Sequence, residues 1–207
     1  MDWKRNIWTP AESDLFKRLN TPRKIQDFLD DLPYDPTDGY RSARQALKNG
    51  KDHCFGGSMI ACAALRYHGE KPLILGLVSE KDDEDHVITI YRKNTLWGAI
   101  SKSKFAVLRF RDPVYTSIRE LVMTYFEFYF NSKGKKTLRQ YSSLIDLTKY
   151  DDEWMISEEH VQSVDNALCT AKHYGLLSSK TKKQISKVDN DLLKLGFIGV
   201  DKTQYPY

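Results

Sequence analysis

The stretch Met59-Ile60-Ala61-Cys62-Ala63-Ala64-Leu65-Arg66-Tyr67 constrains this chain more than any other. It is headed by Asp52-His53-Cys54-Phe55-Gly56-Gly57-Ser58 and closed by Gly69. Ser58, Ala61, Cys62 and Leu65 recur at helical spacing, Ala and Leu favour helix, and Gly69 suits a C-cap. A run this apolar must be mostly buried. Cys54 then falls in its first turn, where the helix N-terminus favours negative charge and lowers a thiol's pKa. Gly56 and Gly57 each weaken a helix by about 1 kcal/mol relative to Ala. Their presence predicts close approach by another strand or by a substrate.

The elements around this helix define an α+β fold. Thr9-Pro10-Ala11-Glu12 opens a short helix, Asn20-Thr21-Pro22 ends it and caps a second over Arg23 to Leu32, and Ser42 caps a third over Ala43 to Lys48. Pro33-Tyr34-Asp35-Pro36-Thr37-Asp38-Gly39 between them is turn chemistry throughout. Pro72 to Val78 reads as a buried strand, and His86 to Arg92, rich in β-branched residues, as the clearest strand of all. Thr95 to Ser101 is its partner across a two-residue turn at Lys93-Asn94. That register sets Ile90 opposite Trp97, Ile88 opposite Ala99 and His86 opposite Ser101, all six on the helix-facing side of the sheet. Phe105 to Arg111 is a third strand ended by Asp112-Pro113, and Val114 to Phe130 is a helix with an aromatic stripe for the core. Residues 1–130 form the core with its N-terminal helices. Residues 131–207 form a helical extension packed on it, with helices from Ser157 to His173 and from Thr181 to Leu195.

A thiol at a helix start followed by a strand that begins with His can make a nucleophile. The imidazole takes the thiol proton, and the thiolate attacks an acyl carbon. The imidazole needs a third group to orient it, and the hairpin offers Ser101, a neutral hydroxyl. Cys54, His86 and Ser101 are the candidate catalytic residues. His53 points about 100° away from a helical neighbour and reads as flanking. Cys62 and Cys169 read as core thiols, and His68, His160 and His173 as structural. The Cys54 backbone N–H is one oxyanion donor, with Gln26, Gln45 and Asn49 open as the second. A phosphatase loop is excluded, because Ile60 stands where Cys-x5-Arg needs its Arg.

These residues resemble the transglutaminase-like superfamily of papain-type cysteine acyltransferases and proteases. The resemblance covers roughly residues 22–103. It rests on the helix and turn ending at Tyr34, Gly50 ahead of Cys54, and Cys54-x-x-x-Ser58 through Ala64-Leu65-Arg66-x-x-Gly69. A strand after Pro72, His86 at a strand start and Trp97 in the next strand complete it. It implies a Cys helix packed on an antiparallel sheet carrying His and then Asp, with a thioester formed at Cys54 and passed to an amine or water, and His86 as general base. Ser101, fifteen residues after His86, stands where the family has Asp. The implied activity is cysteine-dependent acyl chemistry on a peptide or protein amide. The alternative is a non-catalytic binding domain that kept the fold.

Composition narrows the classes that compete. A net charge of +4 over 207 residues is too mild to argue for nucleic acid. Three cysteines with no Cys-x-x-Cys pair argue against zinc and against a disulfide framework, and fit a reducing, cytoplasmic setting. The acidic run Lys81 to Asp85 lacks the Gly and spaced Glu of a calcium loop and reads as solvated, as does the basic run Ser132 to Lys136. No cofactor or metal is expected. Met1-Asp2-Trp3-Lys4-Arg5-Asn6 has no apolar stretch behind its charges, so no signal peptide is expected, and no run is long enough to span a membrane.

Overall fold

The computed structural model describes residues 7–37 and 39–201. The expectation about a leader at Met1 to Asn6, and Asp38 of the turn, lie outside these residues. Three helices come first: α1 (Pro10–Arg18), α2 (Pro22–Asp31) and α3 (Ala43–Asn49). Their starts follow the capping logic of the sequence, with Thr9, Thr21 and Ser42 each accepting a backbone N–H of the first turn. Gly50 closes α3 in the left-handed conformation that glycine adopts at low cost.

The Cys helix is α4 (Cys54–Tyr67), and every residue from Phe55 to Leu65 is buried. It packs on an antiparallel sheet whose first three strands are β1 (Leu73–Val78), β2 (His86–Lys93) and β3 (Leu96–Ile100). Ser58 and Cys62 touch β2: Ser58 Oγ donates to the Val87 carbonyl at 3.2 Å, and Cys62 Sγ lies 3.7 Å from Thr89 Oγ1. The α+β class, the Cys helix on an antiparallel sheet and the flanking N-terminal helices are as the sequence predicts.

The hairpin register differs. Asn94 and Thr95, both at positive φ, make the turn, so Ile90 faces Ala99 and Arg92 faces Trp97. Two side-chain fits select this register. Tyr91 lies opposite Gly98, where a Cβ would overlap the Tyr91 ring, and the Arg92 guanidinium sits 4.9 Å from the Trp97 ring centroid. A β-branched Thr in the left-handed region is unfavourable, so the sequence alone points to the neighbouring pair. The shift is two residues, which preserves the faces: His86, Ile88 and Ile90 still share a side with Ala99. That side, however, faces a later helix, α5 (Ile118–Phe126), and not α4. The α4 side of β2 carries Val87, Thr89 and Tyr91.

Phe105 to Arg111 is not a strand. Ala106–Leu108 is a tight 3-10 turn, and the edge strand β4 (Arg111–Tyr115) follows it. The Arg111 guanidinium explains both, since it binds the Val107 and Phe110 carbonyls and Thr124 while lying 4.1 Å from the Tyr125 ring centroid. Pro113 sits within β4, which an edge strand tolerates. Ser117 caps α5, which is shorter than the expected Val114 to Phe130.

The stretch 131–207 carries strands as well as helices. β5 (Gln140–Ser142) and β6 (Ile145–Asp146) both pair with β1, and β7 (His173–Gly175) pairs with β5. One sheet therefore joins both parts of the chain, in the order β4-β3-β2-β1-β5-β7. The helices here are α6 (Glu153–Ile156), α7 (Gln162–Thr170), α8 (Ser179–Lys182) and α9 (Asn190–Gly196). Residues 157–161 are drawn out of helix because Ser157 and Val161 bond to Ser42 and Tyr40. The expected Thr181 to Leu195 helix breaks where Val188 N–H binds the Gly134 carbonyl and Asp189 caps α9. Among the described residues no helix is long and apolar enough to cross a membrane.

Gly56 and Gly57 mark close approach, as predicted, but to protein groups. A Cβ at Gly56 would overlap the Asp52 carboxylate, and one at Gly57 would overlap the Lys102 stem. Asp52 is fully buried, so it has nowhere to retreat. Gly56→Ala should therefore lower stability by about 1–3 kcal/mol despite its better helix propensity. Gly175→Ala, with open space around it, should change stability by no more than about 0.5 kcal/mol. Urea unfolding of both variants checks this, and equal effects would contradict the packing account.

Candidate active site

Cys54 stands at the mouth of a cleft at one end of the sheet. Tyr34, the acidic turn Asp83 to Asp85, His86, residues 103–105, and Phe128 to Phe130 line the cleft with it. Two local devices place the thiol. His53 is the N-cap of α4, so Cys54 is its first residue. Backbone bonds from Asp35 N to Asp52 O (3.2 Å) and from Asp52 N to Pro33 O (3.2 Å) tie the approach to the helix against the Tyr34 turn.

His86 opens β2 and is almost fully buried. Its Nε2 lies 2.6 Å from Ser101 Oγ, which leaves Nδ1 as the ring nitrogen available to a thiol. The structure thus brings Cys54, His86 and Ser101 together, although not by the cross-strand pairing expected. Ser101 follows the last residue of β3 and meets His86 on the diagonal. Gln26 of α2 holds it there: Ser101 N–H donates to Gln26 Oε1 at 2.9 Å, and Gln26 Nε2 donates to the Ser101 carbonyl at 2.9 Å. A buried amide that replaces two ladder bonds makes Ser101 a fixed point. Gln26 therefore serves as a brace for Ser101 rather than as an oxyanion donor. Gln45 bonds to the Glu158 carbonyl, and Asn49 to Lys51 and Asp35, and neither lines the cleft.

The next residue, Lys102, is buried, and its Nζ donates to the Leu29 carbonyl (2.7 Å) and to that of Leu32, at the C-terminal end of α2. Burial first of all holds this ammonium down, to about 8. Its stem lies against Gly57. One lysine thereby locks the chain after Ser101 to both α2 and α4.

His53 is the site residue that sequence reasoning placed wrongly. As an N-cap it is not on the helix, so the helical angle does not separate it from Cys54. Its Nδ1 lies 3.9 Å from the Cys54 Sγ. Its Nε2 lies 2.9 Å from the Gly39 carbonyl and must carry the proton there, which leaves the Nδ1 lone pair to accept Phe55 N–H at 3.3 Å. That last bond is at the long end of the range. When Nδ1 gains a proton it exchanges this weak cap for the thiolate. The signal available in the sequence was a His at the capping position itself.

The electrostatics follow. Burial alone would raise the Cys54 thiol, but the His53 and His86 imidazoles outweigh it and hold the thiol down to about 5. His53 shifts the opposite way: burial lowers it, and Cys54 and then Asp52 outweigh that and raise it to about 9. Both directions describe one thiolate–imidazolium pair. Asp52 is held by His53 N–H at 2.7 Å and faces Arg41 at 3.6 Å, while its second oxygen is buried without a hydrogen bond. Burial raises its carboxyl.

The other two cysteines differ from Cys54 and from each other. Cys62 is buried, and burial pushes it up to about 12. Cys169 is exposed, contrary to the core position expected of it, because Val164 and Leu168 form the buried face of α7 instead. His68 is structural, with Nε2 2.7 Å from the Phe16 carbonyl.

The acidic run is largely exposed, as expected of a solvated loop, but Asp83 to Asp85 also line the cleft and its side chains are held by neighbours. Asp83 accepts from Thr137, Glu84 pairs with Lys104 at 2.9 Å, Asp85 accepts Ser79 N–H at 2.8 Å, and Asp82 pairs with Lys135 at 3.2 Å. The basic run thus ties down the acidic one. Among the described residues no group of three His, Cys, Asp or Glu is arranged to hold a metal ion.

Compared with known proteins, the chain matches no family model and no curated protein sequence.

The pairing predicts a rate profile. The thiolate fraction of Cys54 should rise through about pH 5 and stay level from about pH 6 to 8, whereas an ordinary thiol gains about tenfold per pH unit there. Iodoacetamide labelling followed by peptide mass analysis should show Cys54 reacting first at pH 6, Cys169 gaining rate only at higher pH because partial burial and Asp165 hold its thiol up, and Cys62 protected. His53→Ala should move the Cys54 midpoint up by about one pH unit or more. An unchanged midpoint in that variant would remove His53 from the site.

Proposed function

We propose that this protein performs cysteine-dependent acyl chemistry on an amide, as a peptidase, a deamidase or an acyl transferase working through a thioester. The observation that carries the reading is the half-buried Cys54 thiol held down to about 5, with His86 braced by Ser101 beside it. In this reading the Cys54 sulfur attacks the amide carbon. In the resting pair the thiol proton sits on His53. His86 Nδ1 passes a proton to the leaving amine as the C–N bond breaks, and takes one back from the water or acceptor amine that attacks the thioester. Ser101 Oγ accepts a hydrogen bond from His86 Nε2–H and fixes the ring plane, but supplies no charge. His53 keeps the thiolate formed without needing to reach the leaving group, since its Nε2 is bound to Gly39. The likeness to transglutaminase-like proteins agrees with this division of roles at Cys54 and His86, and the substrate would be a peptide or protein amide. Three free thiols suit a reducing, cytoplasmic setting.

One observation favours a second reading, a binding domain that kept the fold. The partner of His86 Nε2 is the Ser101 hydroxyl, where the resembled family has Asp, and a hydroxyl cannot offset the charge that builds on His86. The two readings separate on acylation. With p-nitrophenyl acetate, the catalytic protein should accumulate an acetyl group on Cys54, seen as a mass increment that hydroxylamine removes. A binding domain with a reactive thiol should be acetylated no faster than a small free thiol of matched pKa, and the acetyl group should not turn over to water or an amine. Ser101→Ala should slow acetylation about tenfold, and Ser101→Asp, if the pocket accepts it, should speed it by a similar factor. Three equal rates would take Ser101 out of the mechanism.

A further inference from the structure

Attack on an amide carbon creates an oxyanion, and its stabilisation requires donors placed before the reaction begins. The Cys54 backbone N–H is one. It belongs to the first residue of α4, where helix geometry provides no acceptor, and among the described residues no other group accepts it. The second donor must come from the cleft walls.

Most polar side chains on those walls are already committed. Asp83 and Glu84 are held by Thr137 and Lys104, and Asp85 by Ser79. Tyr129 Oη donates to the Glu84 carbonyl at 2.6 Å. Ser103 Oγ accepts Phe105 N–H at 3.1 Å, which fixes its oxygen but leaves its O–H as a competing donor. Tyr34 differs. Its side chain lines the same cleft as Cys54 and His86, and among the described residues no hydrogen bond holds its hydroxyl. Its backbone bridges Asp52, two residues before the thiol, so ring and thiol are carried by adjoining strands of chain. The Lys104 ammonium sits 5.7 Å from its ring centroid and steadies the ring from the far wall.

We propose that the Tyr34 hydroxyl is the second oxyanion donor, acting with the Cys54 backbone N–H. This rests on the acyl reading above. The Cys54 sulfur forms the C–S bond, and the carbonyl π pair moves onto oxygen, which receives the Tyr34 O–H and Cys54 N–H hydrogen bonds. Collapse restores the C=O bond and expels the amine, which takes its proton from His86. Tyr34 gives no proton away. Burial first, then the negative groups at Cys54 and Glu84, keep its phenol protonated, so it donates as a neutral group beside a thiolate.

Two reagents separate this role from the others. Acylation by p-nitrophenyl acetate passes through an oxyanion; alkylation by iodoacetamide is a displacement at a saturated carbon and does not. Tyr34→Phe keeps the ring and removes only the hydroxyl. It should slow acetylation of Cys54 about a hundredfold while leaving the iodoacetamide rate and its pH profile unchanged. The unchanged alkylation also reports that the site is folded. Equal acetylation rates in the two proteins would overturn the assignment, as would a matching loss in alkylation, because Tyr34 would then be shaping the thiolate. A wild-type protein that alkylates but is never acetylated fails before any variant is made, and takes the acyl reading down with the inference.

Discussion

The register between the start of α4 and its surroundings is the constraint on which the site depends. Asp52 lies against Gly56 and Lys102 lies against Gly57, at separations that admit no side chain at either glycine. Lys102 also grips the end of α2, and Gln26 of α2 grips Ser101. The first turn of the Cys helix, the end of β3 and the end of α2 therefore form one locked unit. A slip of one residue anywhere in it would move the thiol, the imidazole and the hydroxyl relative to one another. The two glycines cost about 2 kcal/mol of helix propensity together, which the buried body of α4 offsets several-fold at about 1.5–3 kcal/mol per large apolar side chain.

Charge is arranged around this unit with the same economy. The thiol sits at a helix N-terminus between two imidazoles of different standing. His53 is tied at Nε2 to a carbonyl and serves the ground state of the thiolate. His86 is tied at Nε2 to a hydroxyl and is the one whose free nitrogen shares the cleft. Asp52, buried behind the helix start, favours the imidazolium form of His53. A strand-borne His that lacks a carboxylate thus stands beside a thiol whose ionisation is supported from elsewhere.

Much of this was legible in the sequence because it is local. Caps at Thr9, Thr21 and Ser42, the apolar body of α4, and the β-branched run after His86 each declare themselves within a few residues. Cys54, His86 and Ser101 were readable together because a two-residue error in hairpin register leaves side-chain faces unchanged. What was hidden is tertiary. The hairpin turn was chosen by Tyr91 over Gly98 and by Arg92 on Trp97, and the turn before β4 by Arg111 reaching to Thr124. The strands β5 to β7 are too short to show alternation. They exist because β1 offers them an edge. The helical angle that separates neighbours does not apply to the cap His53, and the apolar stripe of α7 runs one residue away from Cys169.

The claim at the centre of this account is that Cys54 is a thiolate in the resting protein. The ultraviolet absorbance of the thiolate, followed across pH in wild type and in Cys54→Ser, measures that directly, because the difference isolates one sulfur. The structure predicts a midpoint near the value of about 5 set by the two imidazoles against burial. A difference spectrum that develops only near the ordinary thiol value of about 8.5 would mean that Cys54 is a packing residue, and that neither His53 nor His86 acts on it.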